Sequence, residues 1–355
     1  MNILFLNSAR AWGGNEKWTK MASESLSKEH NVFFAYRKDV VGKMFKVKKI
    51  KLPFLSELDF FTIFKLISFI LTNKIEILIP TKKKDYFLAG IACLLTRRKN
   101  VLRLGIVREM GNSIFNKLIY KTLADGIIVN AKQIEETLLK TDYMRNQKIA
   151  VIYNGVEPIL IDKSNYEENT QNKFQIISVG SLIKRKKMDL VILAFAQFVN
   201  QTKIANAELL IVGEGEELEN LKEIAKQNRI GGMVKFPGFV NNPFNQFKDS
   251  DVFILCSENE GISNAILEAM FLGKVVISTV AGGIDYALEN GKNGFVVEEN
   301  PKQIADILEK VYFNEELRHQ LGTEAKATIS EKFSLERMQT NIVNFLFKII
   351  ENKAV

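Results

Sequence analysis

Cysteine and histidine are both scarce, with two of each in 355 residues. Cys93 and Cys256 stand far apart, so neither a disulfide framework nor a cysteine zinc site can be built from them. His30 and His319 are too few for a three-histidine metal site, and any histidine-based triad must use one of them. Long apolar runs are missing too. The most apolar stretch, 60–72, contains Lys65 and falls short of the ~20 residues that a membrane span needs. The opening MNILFLNS reads as a buried strand. It has no basic start, apolar core and small-residue cleavage site, so no signal peptide is expected. These absences lead to an expected cytoplasmic, reducing location. With 46% apolar and 25% charged residues, a largely disordered or collagen-like chain is excluded. At roughly 100–200 residues per domain, the length suggests two domains.

Positive charge is plentiful but lopsided. The net charge is +8. Residues 1–170 hold 28 Lys+Arg against 17 Asp+Glu, and residues 171–355 hold 21 against 24, so the first part carries +11 and the second −3. The excess clusters at 43–51, 82–84 and 97–99. Nucleic acid, an anionic membrane surface or an anionic substrate could each answer such charge, and a solvated basic face is the plainer reading. No basic helix with base-reading side chains and no RNP-like aromatic motif is visible, so nucleic acid is not an expected partner.

Short apolar strands alternate with helical patterns along both parts. Strands are predicted at 2–7, 32–36, 75–80, 101–106, 126–130 and 149–153, with helices over 16–28, 58–73, 85–95, 116–124 and 131–140. Further strands are predicted at 174–179, 208–212, 234–237, 252–256, 275–278 and 294–297. This alternation predicts an α/β fold of parallel sheets with helices on both faces. The polar stretch 157–173 reads as a linker. The expected division is 1–163, 174–334 and a last helix in 335–355. Ligands of such sheets sit beyond the carboxyl ends of the strands, so the expected site is a cleft that two Rossmann-like domains face.

Three segments carry candidate chemistry. The first is SENEGISNAILEAM, 257–270, between a strand and an amphipathic helix. Its Glu260 and Glu268 would lie about 12 Å apart along a helix axis and about 80° apart around it. That is too far for a retaining glycosidase pair and beyond an inverting one. It fits a ligand with two polar ends, such as a nucleotide sugar. The N–H groups of Gly261, Ile262, Ser263 and Asn264 would form an anion site at the helix start. The second is VGSLIKRKKMDLVILAF, 179–195, where a basic loop at 184–187 follows a strand and can neutralise phosphate. The third is Gly13-Gly14-Asn15-Glu16, straight after the first strand, a weak phosphate motif. A solvated acidic helix start, a solvated basic turn and a structural tight turn are the plainer readings. Asp249-Ser250-Asp251 imitates a metal-binding DxD, but it stands where a helix ends and a strand begins, so no metal is expected there.

Taken in order, these blocks resemble the retaining family-4 glycosyltransferases of the GT-B fold, the glycosyl transferases group 1. GGNE resembles that family's GGxE, and VIYNGVE at 151–157 its xxNGVD. VGSLIKRKKMDLVILAF resembles VGRLxxxKGxDLLIxAF, and LLIVGEGEELENL at 209–221 resembles LxIVGxGxxxxxL. VKFPGFV at 234–240 resembles VxFxGxV, and SENEGISNAILEAM the EGxxxxxxEAM block. GGIDYALENGKNGFVV at 282–297 resembles the stretch that follows it.

The resemblance implies a metal-independent retaining transfer from a nucleotide-diphospho-sugar, with UDP favoured over GDP, and no cofactor. Glu260 would contact the transferred sugar as the catalytic carboxylate, and Glu268 the ribose. Lys186 would bind the diphosphate, with Ser181, Arg185 and Gly213 in the same donor blocks. Gly14 would approach the phosphates or the sugar, and Phe239 the base. The last helix would return to the first domain. The acceptor would be a glycan or lipid-linked glycan of a lipopolysaccharide, capsule or exopolysaccharide. The basic first domain and its Phe-rich 54–70 stretch would give a peripheral place at the inner membrane face, although a core helix is the plainer reading of that stretch. A nucleotide-sugar epimerase or a non-catalytic nucleotide-sugar-binding partner protein are the alternatives.

Two departures stand out. Ser181 replaces the arginine that usually partners the lysine, and Lys187 replaces the following glycine, which leaves Arg185 or Lys187 to supply the charge. No histidine stands in VLRLGIVR at 101–108, which leaves Arg103 or Arg108 to face the cleft.

Overall fold

The structure, a computed structural model, describes residues 1–106, 109–156, 173–240, 243–258 and 261–351. The chain divides into two units, Met1–Glu157 with Ser334–Val355, and Pro158–Phe333. Among the described residues the first unit holds seven strands: β1 (Asn2–Asn7), β2 (Asn31–Tyr36), β3 (Lys48–Lys51), β4 (Ile77–Pro80), β5 (Lys99–Leu104), β6 (Gly126–Val129) and β7 (Ile149–Val151). They run parallel in the order β3-β2-β1-β4-β5-β6-β7. Ile3, Leu4, Phe5 and Leu6 of β1 are all fully buried, as expected of a strand with helices on both faces.

Three features of this unit depart from the sequence patterns. Strand β3, KKIK, reads in sequence as part of a basic cluster. It is the sheet edge, where lysines discourage pairing with another chain. The first helix is Gly14–Leu26, two residues earlier than its apolar pattern, with Gly13 as N-cap. The 116–124 pattern is a short helix, Ile114–Lys117, capped by Ser113 and continued by a π-helical turn, Leu118–Thr122.

The last helix, Leu335–Glu351, completes this unit's core. Its Met338, Ile342, Phe345, Leu346 and Ile349 cluster with Ile3, Phe5 and Trp18. Apolar burial of that order contributes on the order of 10 kcal/mol before chain entropy is subtracted.

The second unit holds β8 (Phe174–Val179), β9 (Ala207–Val212), β10 (Val234–Gly238), β11 (Val252–Leu255), β12 (Val275–Thr279) and β13 (Phe295–Val297). Their order is β10-β9-β8-β11-β12-β13, again all parallel. In each sheet the order reverses beside the first strand, the switch point at which doubly wound sheets bind ligands. The Met188–Thr202 helix buries Val191, Ile192, Phe195 and Phe198 in this core. Asp251 accepts the Gln175 N–H at 2.9 Å and so ties the start of β11 to β8. Asp249 ends the Phe244–Asp249 helix.

Candidate functional site

The carboxyl ends of β8, β9 and β10 are bound together through backbone. Gly180 N donates to Val212 O at 3.0 Å, and Gly213 N to Gly238 O at 2.9 Å. Gly213 has φ +148, and a Cβ there would lie 1.9 Å from Gly180 O. Only glycine lets these two loops meet. One step on, Leu182 N donates to Glu214 O and Glu217 N to Leu182 O, so the β8 and β9 loops run as a pair. Phe239 follows β10, half exposed, with its N–H 3.4 Å from a Glu214 carboxylate oxygen.

The basic loop of this edge is a turn, Lys184–Lys186, that leads into the Met188–Thr202 helix. A Cβ on Gly180 would stand 3.7 Å from Lys186 Cε, so the Lys186 stem folds back towards the end of β8. Lys187 takes φ +44, the left-handed conformation that suits the glycine of the resembled motif. Its ammonium is held by Glu299 and by Glu258 at 3.2 Å. The hydrogen bond to Glu299 is the main reason that its pKa rises. Lys187 is therefore matched by two carboxylates. Arg185 is half-buried, and its carbonyl accepts the Glu258 N–H at 3.1 Å, which ties this turn to the loop after β11. Ser181 is exposed just past Gly180.

After β11 the chain enters the Asn264–Phe271 helix, with Ser263 as an extended N-cap. Gly261 and Ile262 are buried at its entry, and Ser263 and Asn264 are half-buried. Glu268 is buried and is the helix's one ionisable side chain. A carboxylate on a buried helix flank is costly unless something polar meets it. Glu260 and Arg108 lie outside the described residues.

Gly14 belongs to the first unit, where it opens the Gly14–Leu26 helix. Its neighbours are tightly held. Asn15 donates to Thr81 O at 2.6 Å and accepts from Arg103 Nη1 at 2.7 Å. Glu16, buried, meets Asn7 at 3.0 Å and Lys82 at 2.8 Å. Arg103 is buried with its guanidinium 4.5 Å from the centre of the Trp18 ring, and burial lowers its pKa to about 10. Arg103 thereby ties β5 to the glycine loop after β1. Behind it, burial raises Asp85 to about 6, although the carboxylate accepts the Ser8 N–H at 2.9 Å.

Residues 162–328 match the model of the family described as glycosyl transferases group 1. This segment is a glycosyl transferases group 1 domain. A glycosyltransferase of Methanocaldococcus jannaschii described as uncharacterized is 30% identical over 229 residues, 62% of this chain and 57% of that one. The chain thus spans little more than half of that protein's length. The Escherichia coli O-antigen biosynthesis glycosyltransferase WbnH is 27% identical over 88% of this chain and 90% of that one. The crystal structure of Anabaena HepE in complex with UDP has a TM-score of 0.82 at 19% identity, covering 98% of this chain and 100% of that one. The fold is GT-B, with two Rossmann-like doubly wound units.

In the group 1 domain, Ser181, Arg185, Lys186, Gly213, Phe239, Gly261, Ile262, Ser263, Asn264 and Glu268 stand in the segments that follow the carboxyl ends of β8, β9, β10 and β11, neighbours in one sheet. Sequence reasoning missed Glu258 and Glu299, which hold Lys187 from loops far along the chain. It also missed Arg103 as the partner of Asn15, because neither spacing nor periodicity marks a contact between β5 and the loop after β1.

Proposed function

We propose that the chain is a metal-independent retaining glycosyltransferase that moves a sugar from a nucleotide-diphospho-sugar, UDP-linked in preference to GDP-linked, to a surface-glycan acceptor. The observation that carries this reading is the edge at which Gly180, Gly213 and Gly238 meet through backbone, with the Lys186 stem laid over Gly180. Backbone without side chains lets a phosphate approach closely, and the lysine supplies charge. The UDP held by the Anabaena structure and the O-antigen role in the name of the Escherichia coli relative support the donor and acceptor classes.

In the reaction, the bond between the anomeric carbon and the diphosphate oxygen breaks, a bond to an acceptor hydroxyl oxygen forms on the same face, and that hydroxyl's proton passes to the departing diphosphate. Charge grows on the departing diphosphate. Lys186 and the N-terminus of the Asn264–Phe271 helix are fixed before the reaction, which is the condition for strong electrostatic stabilisation of a leaving group. Glu268 holds the ribose, Glu260 the sugar, Phe239 the base and Gly14 the phosphates or sugar. No metal or cofactor takes part. The acceptor is lipid-linked, and the protein works peripherally at the inner face of the plasma membrane.

Release of nucleotide from UDP-, GDP- and ADP-sugars, with and without lipid-linked glycan acceptor, tests this. One UDP-sugar should turn over with retention of configuration at its anomeric carbon, and faster with acceptor present. Epimerised donor, or no turnover of any sugar nucleotide, would contradict it.

A further inference from the structure

The Phe60–Thr72 helix of the first unit has two apolar faces. Ile63, Leu66 and Ile70 face the core with Leu4, Leu6 and Phe33, as the core-helix reading expects. Yet Phe60, Phe61, Phe64 and Leu71 are 57–78% exposed. At about 100° per residue, Phe60, Phe64 and Leu71 fall within about 40° of one another on the outer side. Leu55 and Leu58, in the preceding loop, are also more than half exposed. An apolar patch of this kind marks an interaction site. Among the described residues no helix is long and apolar enough to cross a membrane.

The loop that presents these side chains is rigidly built. Asp59, buried, accepts from Leu55 N, Thr62 N and Thr62 Oγ1. Phe54 N donates to Thr62 Oγ1, and Lys84 Nζ donates to Phe54 O and Leu55 O. The exposed leucine is therefore held out by internal bonds.

Charge decides the occupant. Lys82 and Lys84 have internal partners, so they are not the free charges of this face. Lys65, Lys74, Lys83 and Arg97 are exposed, on or at the ends of this helix and its packing neighbour, Lys83–Thr96. Lys65 lies 4.5 Å from the centre of the Phe61 ring. Asp59 and Asp85 are buried, which leaves Glu57 as the exposed acid here. A second copy on a two-fold axis would set like charge against like. Aromatic and apolar side chains beside exposed lysines match the boundary between anionic headgroups and acyl chains.

We infer that the outer face of the Phe60–Thr72 helix, with Leu55 and Leu58, docks on the surface of an anionic lipid bilayer. The inference rests on the peripheral location proposed above and adds the surface that makes it.

The test is cosedimentation of the full chain with vesicles of phosphatidylglycerol and phosphatidylcholine, or of phosphatidylcholine alone. The wild type should sediment with the anionic vesicles at low salt, and much less at high salt. The combined Phe60→Ser, Phe64→Ser, Leu71→Ser variant should bind more than about tenfold more weakly. Lys65→Gln, Lys74→Gln, Lys83→Gln and Arg97→Gln together should do likewise, and they cover the case in which the first variant misfolds. Nucleotide release from a soluble UDP-sugar should persist in both variants. Absence of wild-type binding, or binding unchanged in both variants, would overturn the docking face and leave the transferase reading intact. A wild-type dimer that the apolar variant dissociates would assign the face to a second copy instead. Vesicle binding without sugar-nucleotide turnover would sink the transferase reading alone.

Discussion

Lys186→Ala lowers the turnover of a nucleotide sugar by about 10²–10³-fold, the range found when a preorganised donor to a developing oxyanion is removed. Lys187→Gly, one residue on, changes it by less than about threefold. The two substitutions remove the same charge from neighbouring positions. The Lys186 stem lies over Gly180 at the carboxyl end of β8. The Lys187 ammonium is already matched by Glu258 and Glu299. Glycine at 187 also relieves a left-handed conformation that costs an L-residue about 1–2 kcal/mol. That relief offsets the loss of ion pairs worth about 0–1 kcal/mol each at a surface. Steady-state kinetics on the purified variants check both. Equal losses would mean that only net charge matters here, and no loss at Lys186→Ala would remove the lysine from the reaction.

The largest stability effect falls on a glycine. Gly213→Ala should destabilise the group 1 domain by about 3–5 kcal/mol, which lowers its melting temperature by roughly 10 °C. The new Cβ would meet Gly180 O at 1.9 Å and Gly180 C at 2.9 Å. Both are backbone, so no flexible side chain can swing aside. Relief requires the ends of β8 and β9 to part, and with them the loops that carry Lys186 and Glu214. Gly232→Ala is the control. A Cβ there meets nothing within 4 Å, and its expected effect is within about 0.5 kcal/mol. Thermal unfolding of the two variants beside the wild type measures the difference. Similar melting temperatures for both would show that the loops yield.

Much of the fold is legible because buried parallel strands announce themselves. Runs such as ILFL in β1 and VFIL in β11 are apolar on both faces, and the helices between them carry the wider period. Strand β3 escapes because KKIK has one apolar residue and lies at an edge, where packing leaves no pattern. The π turn at Leu118–Thr122 shares its local periodicity with an ordinary helix, so the sequence alone does not mark it.

The site divides in the same way. Gly213, Lys186 and Glu268 stand in blocks with fixed spacing, and local order is what a motif records. The partners of Lys187 and of Arg103 come from loops that meet only in the folded sheet. The left-handed backbone at Lys187 is signalled only by the glycine that the resembled motif carries there, since lysine itself gives no hint of it. The Phe60–Thr72 helix shows a further limit. Its apolar composition is plain in sequence, but the side chains left outside the core appear only once the helix is packed.

The function proposed above places the ribose of a nucleoside diphosphate on Glu268 of the group 1 domain. Calorimetric titration of the wild type and Glu268→Ala with UDP, GDP and ADP, without added metal, tests it most directly. The account predicts that the wild type binds UDP in preference to the other two, and that the substitution weakens binding by about tenfold or more, as loss of charged hydrogen bonds to hydroxyls implies. No binding of any of the three by the wild type, or equal binding of UDP by both proteins, would contradict it.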